Sequence, residues 1–372
     1  MLSKEYGPGP QEEINFFDAA IGASIPSANK LSKDILNDLD PQAYGISWWT
    51  SVPVHERILI GDYLYLCANG IELNLAEAKL HYFEWLDAKD QLGRRIEDSI
   101  SVNSRLEVRF KHPEANAAID ELPSRLERLH LCGFFRAIGS SLDCLGATII
   151  GVLGLRAPLR RADLKSAEQA LRVVIDRIDL AAQLQTRFRE FFVDLKETVG
   201  PQGWLNWTDQ YRNMFVHRGR RASYNELVPR DHRLFDFNGQ RILRTDRKTY
   251  LARFPDRSEI EAMLKDKEML LNESAESTLN GIFNSCRELA NRTCERLQLI
   301  WEVRRNHPSL VIQPVDQWKI KIKPSNFSGY EPAIEPFEAD QLTINPSLAH
   351  RMRAAGVDDA HRHLWDSSVW AD

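Results

Sequence analysis

The chain has 372 residues, 43% of them hydrophobic and 27% charged, with a mean hydropathy of -0.39; this fits a soluble globular protein and excludes collagenous, low-complexity and wholly disordered chains. At roughly 100–200 residues per domain the length allows one large domain or two smaller ones. The net charge of -5, from 48 basic and 53 acidic residues, excludes a protein that coats nucleic acid by bulk charge and leaves such contact to a local patch.

The five cysteines, Cys67, Cys132, Cys144, Cys286 and Cys294, are odd in number and include no Cys-x-x-Cys pair. They predict buried thiols in a reducing, cytoplasmic setting, with neither a disulfide framework nor a zinc site. The N-terminal stretch MLSKEYGPGPQEEINFF has no apolar core segment, so no signal peptide is expected. The most apolar run, Cys144 to Leu155, has twelve residues, short of the about 20 that span a bilayer, and no membrane partner is expected.

Residues 1–50 carry Pro8, Pro10, Pro26 and Pro41 and read as an N-terminal arm, with a helical pattern only over 31–39. From 51 to 306 apolar residues recur every three or four positions and predict one helical domain. Within it, 115–155 reads as one or two helices, and 163–199 as a further run stopped by Gly200-Pro201. A short helix is predicted over 204–218, before Gly219. Residues 222–256 then read as a basic β insertion, with Asn238-Gly239 between the short runs RLFDF and QRILR, a hairpin signature. Ser258 with Glu261 makes a capping box ahead of helical periodicity that continues to Trp301 and stops before Pro308. The remainder, 307–372, reads as an extended tail with a last short helix. The predicted fold class is mostly α: a bundle of long helices with a small β-hairpin insertion and irregular ends.

No phosphate-binding glycine loop, metalloprotease HExxH or GxSxG nucleophile elbow is present. His350, His361 and His363 in the tail read as incidental, and no metal or other cofactor is called. The segment that stands out is WLNWTDQYRNMFVHRGRR, 204–221. On a helix, Trp204, Trp207, Tyr211, Met214 and Phe215 form an apolar stripe, and Asn206, Gln210, Asn213 and His217 a polar stripe beside it. Arg212 lies about 100° around the helix from Asn213 and must reach sideways to join the polar stripe.

Arg212, Asn213 and His217 resemble the signature of the HEPN superfamily, helical domains of which many are metal-independent ribonucleases: an Arg, often followed by a polar residue, and a His a few positions on. Two other Arg/His pairs have similar spacing, Arg105 with His112 and Arg125 with His130, but in charged, surface-like contexts without the flanking polar and apolar residues. The resemblance covers the motif helix and, less specifically, the helices from 51 to 305; arm, insertion and tail fall outside it. It implies an RNA-cleaving homodimer with two motif helices facing a shared cleft and, by analogy alone, a toxin or phage-defence effector with an antitoxin or defence-system partner.

The residue types suit that chemistry. Ribonucleolysis without metal needs a base for the 2′-OH proton and a cation for the phosphorane, roles open to His217 and Arg212. The structural alternative is that His217 caps helix carbonyls and Arg212 pairs with a carboxylate such as Asp209. Charge bears on the choice: between Arg212 and Arg257 there are twelve Lys/Arg against five Asp/Glu, so the segment carries +7 and the remainder -12. Arg218, Arg220, Arg221, Arg241 and Arg244 are the candidate RNA contacts. On the apolar stretch FFRAIGSSLDCLGATIIG, Arg136, Ser140 and Asp143 recur at i, i+4 and i+7. They read either as supports for the motif helix, with Tyr211, or as an internal ion pair of Arg136 with Asp143. Gly139, Gly146, Gly151 and Gly154 would admit close helix approach, within the bundle or across a dimer. Beside the endoribonuclease stand two other readings: a non-catalytic helical module binding RNA or a nucleotide, and a helical interaction scaffold.

Overall fold

The structure, a computed structural model, describes residues 22–39, 46, 54–102, 108–110, 122–155, 157, 159, 162–173, 180–213, 223–230, 244–251, 271, 273–307 and 330; for 54–59, 96–102, 108–110, 180, 223–230 and 244–250 it describes the backbone alone. Among them are seven helices, α1 (Pro26–Asp38), α2 (Val54–Ser99), α3 (Leu122–Leu153), α4 (Leu164–Arg172), α5 (Leu180–Thr198), α6 (Trp204–Asn213) and α7 (Ala275–Asn306). Four short strands complete the order: β1 (Ile100–Val102) with β2 (Val108–Phe110), and β3 (Ser223–Arg230) with β4 (Arg244–Leu251), each pair antiparallel. The fold is mostly α, as its periodicity predicts.

Contacts divide the chain into two compact units. The first comprises Met1–Ser24, Leu73–Ser141 and Asp194–Leu289; the second comprises Ile25–Glu72, Leu142–Val193 and Ala290–Asp372. Each unit has its own apolar core. In the first, Trp85 of α2, Phe134, Phe135 and Ile138 of α3, Trp207 and Tyr211 of α6, and Leu279 and Phe283 of α7 are buried. In the second, Leu31 and Ile35 of α1, Leu64 and Ile71 of α2, Ile149 of α3, Phe188 and Phe192 of α5, and Leu297 and Trp301 of α7 are buried.

Within residues 1–50, expected to be an arm helical only over 31–39, the described part forms α1, which starts five residues earlier and packs on the core. Pro26 opens α1, where its missing N–H costs nothing, and Ala28, Leu31 and Ile35 form a stripe at i, i+3 and i+7 that is fully buried. Ser27 Oγ donates to the Asn291 carbonyl at 2.7 Å, Gln298 Nε2 to Asp34 at 3.1 Å, and Trp301 Nε1 to Asp38 at 2.8 Å. Partner numbers rise together along both helices, so α1 runs parallel to the second half of α7. Arg305 closes the far end on Asp38 with Nε at 3.1 Å.

Local signals set most boundaries. Asp163 caps α4, accepting from the Ser166 amide at 2.6 Å, and α7 stops at Asn306, two residues before Pro308. Residues 222–256, expected as a β insertion, hold the antiparallel pair β3 and β4, in a register that pairs Ser223 with Leu251 and Arg230 with Arg244; residues 231–243, with Asn238-Gly239, RLFDF and all of QRILR but Arg244, lie outside the described residues. The Ser258/Glu261 capping box, residues 174–179 and the tail helix also lie outside them.

The cysteines are free thiols. A hydrogen bond with Cys144, together with burial, pushes the Cys67 thiol up, and burial does the same to Cys286 and Cys294. Helix α3 is long and apolar enough to cross a membrane by length and composition, but 72% of its most apolar window is buried inside the protein, as in a core helix.

Candidate functional site

Helix α6, which carries the first half of the Arg/His motif, is set by the turn before it. Ser285 Oγ donates to the Val199 carbonyl at 2.8 Å, and Gly200 packs against Ser285 and Trp204, with no room for a Cβ. Gly203 takes a positive φ of 80°, a conformation glycine adopts without steric cost. Trp204 Nε1 then donates back to the Lys196 carbonyl at 3.1 Å.

The apolar stripe of α6 docks on the first half of α3. Trp207 and Tyr211 stack with centroids 4.6 Å apart and planes 17° apart, and Phe135 lies 4.8 Å from the Tyr211 ring. Tyr211 is buried, and desolvation pushes its phenol well above the usual range. It is therefore part of the packing that holds α6. Trp207 Nε1 is a buried donor without a hydrogen-bond partner among the described residues.

The polar stripe also forms: Gln210 Nε2 donates to Asn206 Oδ1 at 3.3 Å, and Asn213 Nδ2 to Asp209 Oδ2 at 3.3 Å. Arg212, half-buried, leaves that line and crosses to α3. Its Cδ, Nε and Nη1 occupy the space that a Cβ at Gly139 would fill. The motif arginine thus lies on the helix that carries Arg136, Ser140 and Asp143, one turn from Arg136 and beside Ser140. Arg136 itself is exposed, whereas Ser140 and Asp143 are half-buried. Of the two readings of this stretch, a pair of Arg136 with Asp143 buried inside the bundle does not fit an exposed Arg136, whose guanidinium stays hydrated.

Met214, Phe215, His217, Arg218, Arg220, Arg221 and Arg241 lie outside the described residues, as do His350, His361 and His363. Arg244 opens β4 opposite Arg230. Among the described residues no group of three or more His, Cys, Asp or Glu is arranged to hold a metal ion.

A second polar cluster, which spacing does not reveal, lies on the same stretch of α3. His81 Nδ1 of α2 is 3.1 Å from His130 Nδ1 of α3, with ring centroids 5.4 Å apart and planes tilted by 50°. The contact needs Gly133, because a Cβ there would collide with the His81 ring. On the far side of that ring, Nε2 is 3.7 Å from Glu77 Oε1, one turn back on α2. Burial, then the charges of His130 and Arg136, hold His81 below its ordinary value against the opposing pull of Glu77. The two histidines are 49 residues apart, and only the packing of α2 on α3 joins them. The local signal was Glu77 with His81 at i+4 on a helical face.

Comparison with known proteins adds no relative: no family model matches the chain, and neither a curated protein nor a solved structure was found to be similar to it.

Proposed function

We propose that the chain is a metal-independent endoribonuclease of the HEPN type, cytoplasmic and acting as a homodimer. In the reaction His217 takes the proton of a ribose 2′-OH, whose oxygen attacks the adjacent phosphorus. The bond to the 5′-oxygen breaks, that oxygen takes up a proton, and the RNA is left with a 2′,3′-cyclic phosphate. Arg212 holds the phosphoryl oxygens as negative charge builds on them, and Asn213 accompanies it on the polar side of α6.

The observation that carries this reading is the seat of Arg212 across Gly139. An arginine that only solubilised α6 would need no vacancy cut for it in a neighbouring helix. Held there, its guanidinium loses less side-chain entropy on meeting a phosphate than a free surface arginine would. The test is incubation of the purified chain with RNA in EDTA, wild type against His217→Ala and Arg212→Ala. Cleavage by the wild type that falls at least about a hundredfold in each variant supports the proposal; equal cleavage by all three, or none by any, overturns it.

A second reading, RNA binding without cleavage, is favoured by the paired strands. β3 and β4 bring Arg230, Arg244, Arg247 and Lys248 into one two-stranded ribbon, within the segment of charge +7. Its signature would be salt-sensitive RNA binding, weakened by Arg220→Glu with Arg221→Glu, in a protein that leaves RNA intact.

A further inference from the structure

Residues three apart on a helix are surface neighbours, and one such row of α3 runs through 130, 133, 136 and 139. Two of its positions carry side chains, His130 and Arg136. The other two are glycines, and each receives a side chain from another helix: His81 of α2 at Gly133 and Arg212 of α6 at Gly139. Each step of three also turns about 60° around the axis, so four groups able to carry positive charge follow one another along a spiral ridge, over about 14 Å of helix axis and about half a turn around it. We propose that this row is a phosphate-binding track, in which the His81–His130 pair and Arg136 grip the backbone phosphate of single-stranded RNA adjoining the one met by Arg212. The choice of RNA as ligand rests on the functional reading above; the track itself rests on geometry.

The chemistry of the pair makes it a proton-operated clasp. At 3.1 Å the two Nδ1 atoms are joined by one hydrogen, donated by one ring and accepted by the other. A second proton would place two N–H donors face to face, so the doubly protonated pair must open. An anionic oxygen between the rings accepts from both and relieves the repulsion. His81 keeps 26% of its side chain accessible and Arg136 is exposed, so an anion can reach both. The charges acting on His81, besides His130, are Glu77 on α2 and Arg136 on α3, and Glu127, buried, lies one turn before His130 on α3. Glu77 steadies the His81 imidazolium from its Nε2 side, and Arg136 adds a second cation beside the anion. Binding of phosphate therefore takes up protons and strengthens as pH falls below the ordinary histidine range.

The experiment uses the full chain and a fluorescein-labelled 2′-O-methyl oligouridylate, which lacks the attacking hydroxyl and stays intact, followed by anisotropy at pH 5.5 and pH 8. Binding at least about threefold tighter at the lower pH is expected, and this difference is lost in His130→Asn. Arg136→Gln, a surface change, should weaken binding at both pH values by about threefold or more. Thermal melts check that His130→Asn remains folded, and if it does not, the Arg136→Gln result decides. A pH effect that survives in folded His130→Asn, or undiminished binding by Arg136→Gln, overturns the track while leaving the ribonuclease reading intact. Absence of binding at both pH values overturns the track as well, and the cleavage assay in EDTA then shows whether the ribonuclease reading falls with it.

Discussion

Arg212 of α6 fills the space beside Gly139 of α3 that any larger residue at 139 would need. The glycine is mid-helix, where Ala would ordinarily stabilise by about 1 kcal/mol. Gly139→Ala should instead leave stability unchanged or lower it, because the new methyl collides with the arginine. Adding Arg212→Ala to it should restore the ordinary gain. A double-mutant cycle by urea unfolding measures this, and a coupling energy below about 0.5 kcal/mol would mean that Arg212 moves aside at no cost.

Stability should also follow His81. Its folded-state value is held below the ordinary 6.5 by burial first and by His130 next, so between the two values the unfolded chain binds more protons. The resulting stability is present above pH 6.5 and is lost as pH falls through the lowered folded value. Thermal midpoints measured from pH 8 to pH 5 should decline, and His81→Asn should flatten the part of that decline just below pH 6.5. An unchanged slope in the variant would remove His81 from the acid response.

Asp38 accepts from Trp301 Nε1 at 2.8 Å and from Arg305 Nε at 3.1 Å, and its side chain is 16% accessible. Asp38→Ala strips both donors of their acceptor and should cost about 2–3 kcal/mol, more than Arg305→Ala, whose exposed half can turn to water. Chemical unfolding of the two variants checks the order.

Tyr211→Ala should lower stability by about 3–5 kcal/mol, the range for emptying a buried aromatic site. Tyr211→Phe keeps both ring contacts and should cost less than about 2 kcal/mol. If both were equally inactive on RNA while folded, the hydroxyl would have a role in the site that its burial does not suggest.

What could be read from the sequence divides by range. Asp163 with Ser166, Pro308 after α7, and Gly200-Pro201 before α6 are local signals, and they mark boundaries because capping and proline sterics act over a few residues. The stripe of Trp204, Trp207 and Tyr211 is likewise legible from period alone, and it is buried as drawn. The strands Ser223–Arg230 and Arg244–Leu251 fall within the expected insertion of 222–256, but neither is legible as a strand by itself, because both lack the apolar alternation that names one. The helical pattern over 31–39 marks most of α1, but its start at Pro26 and its docking are not local, because they depend on Asn291, Gln298 and Trp301, far along the chain. The apolar neighbours of Arg136 suggest an internal position, yet a single position in a helix can face out, and Arg136 is exposed. The His81–His130 contact was beyond reach for the same reason: nothing within a helical turn of either residue specifies the other.

The glycines of α3 are best understood as moulds. Gly133 is cast around the ring of His81, Gly139 around the stem of Arg212, and Gly146 around the backbone of Asp163 and Leu164. Gly151 meets only the tip of Leu64, which can swing away. Three of the four vacancies therefore have a fixed occupant, and mould and occupant must change together. A distant relative too diverged to be found by overall likeness would still betray itself by glycines spaced six and seven apart on one helix, with a histidine upstream and an arginine downstream to fill the first two.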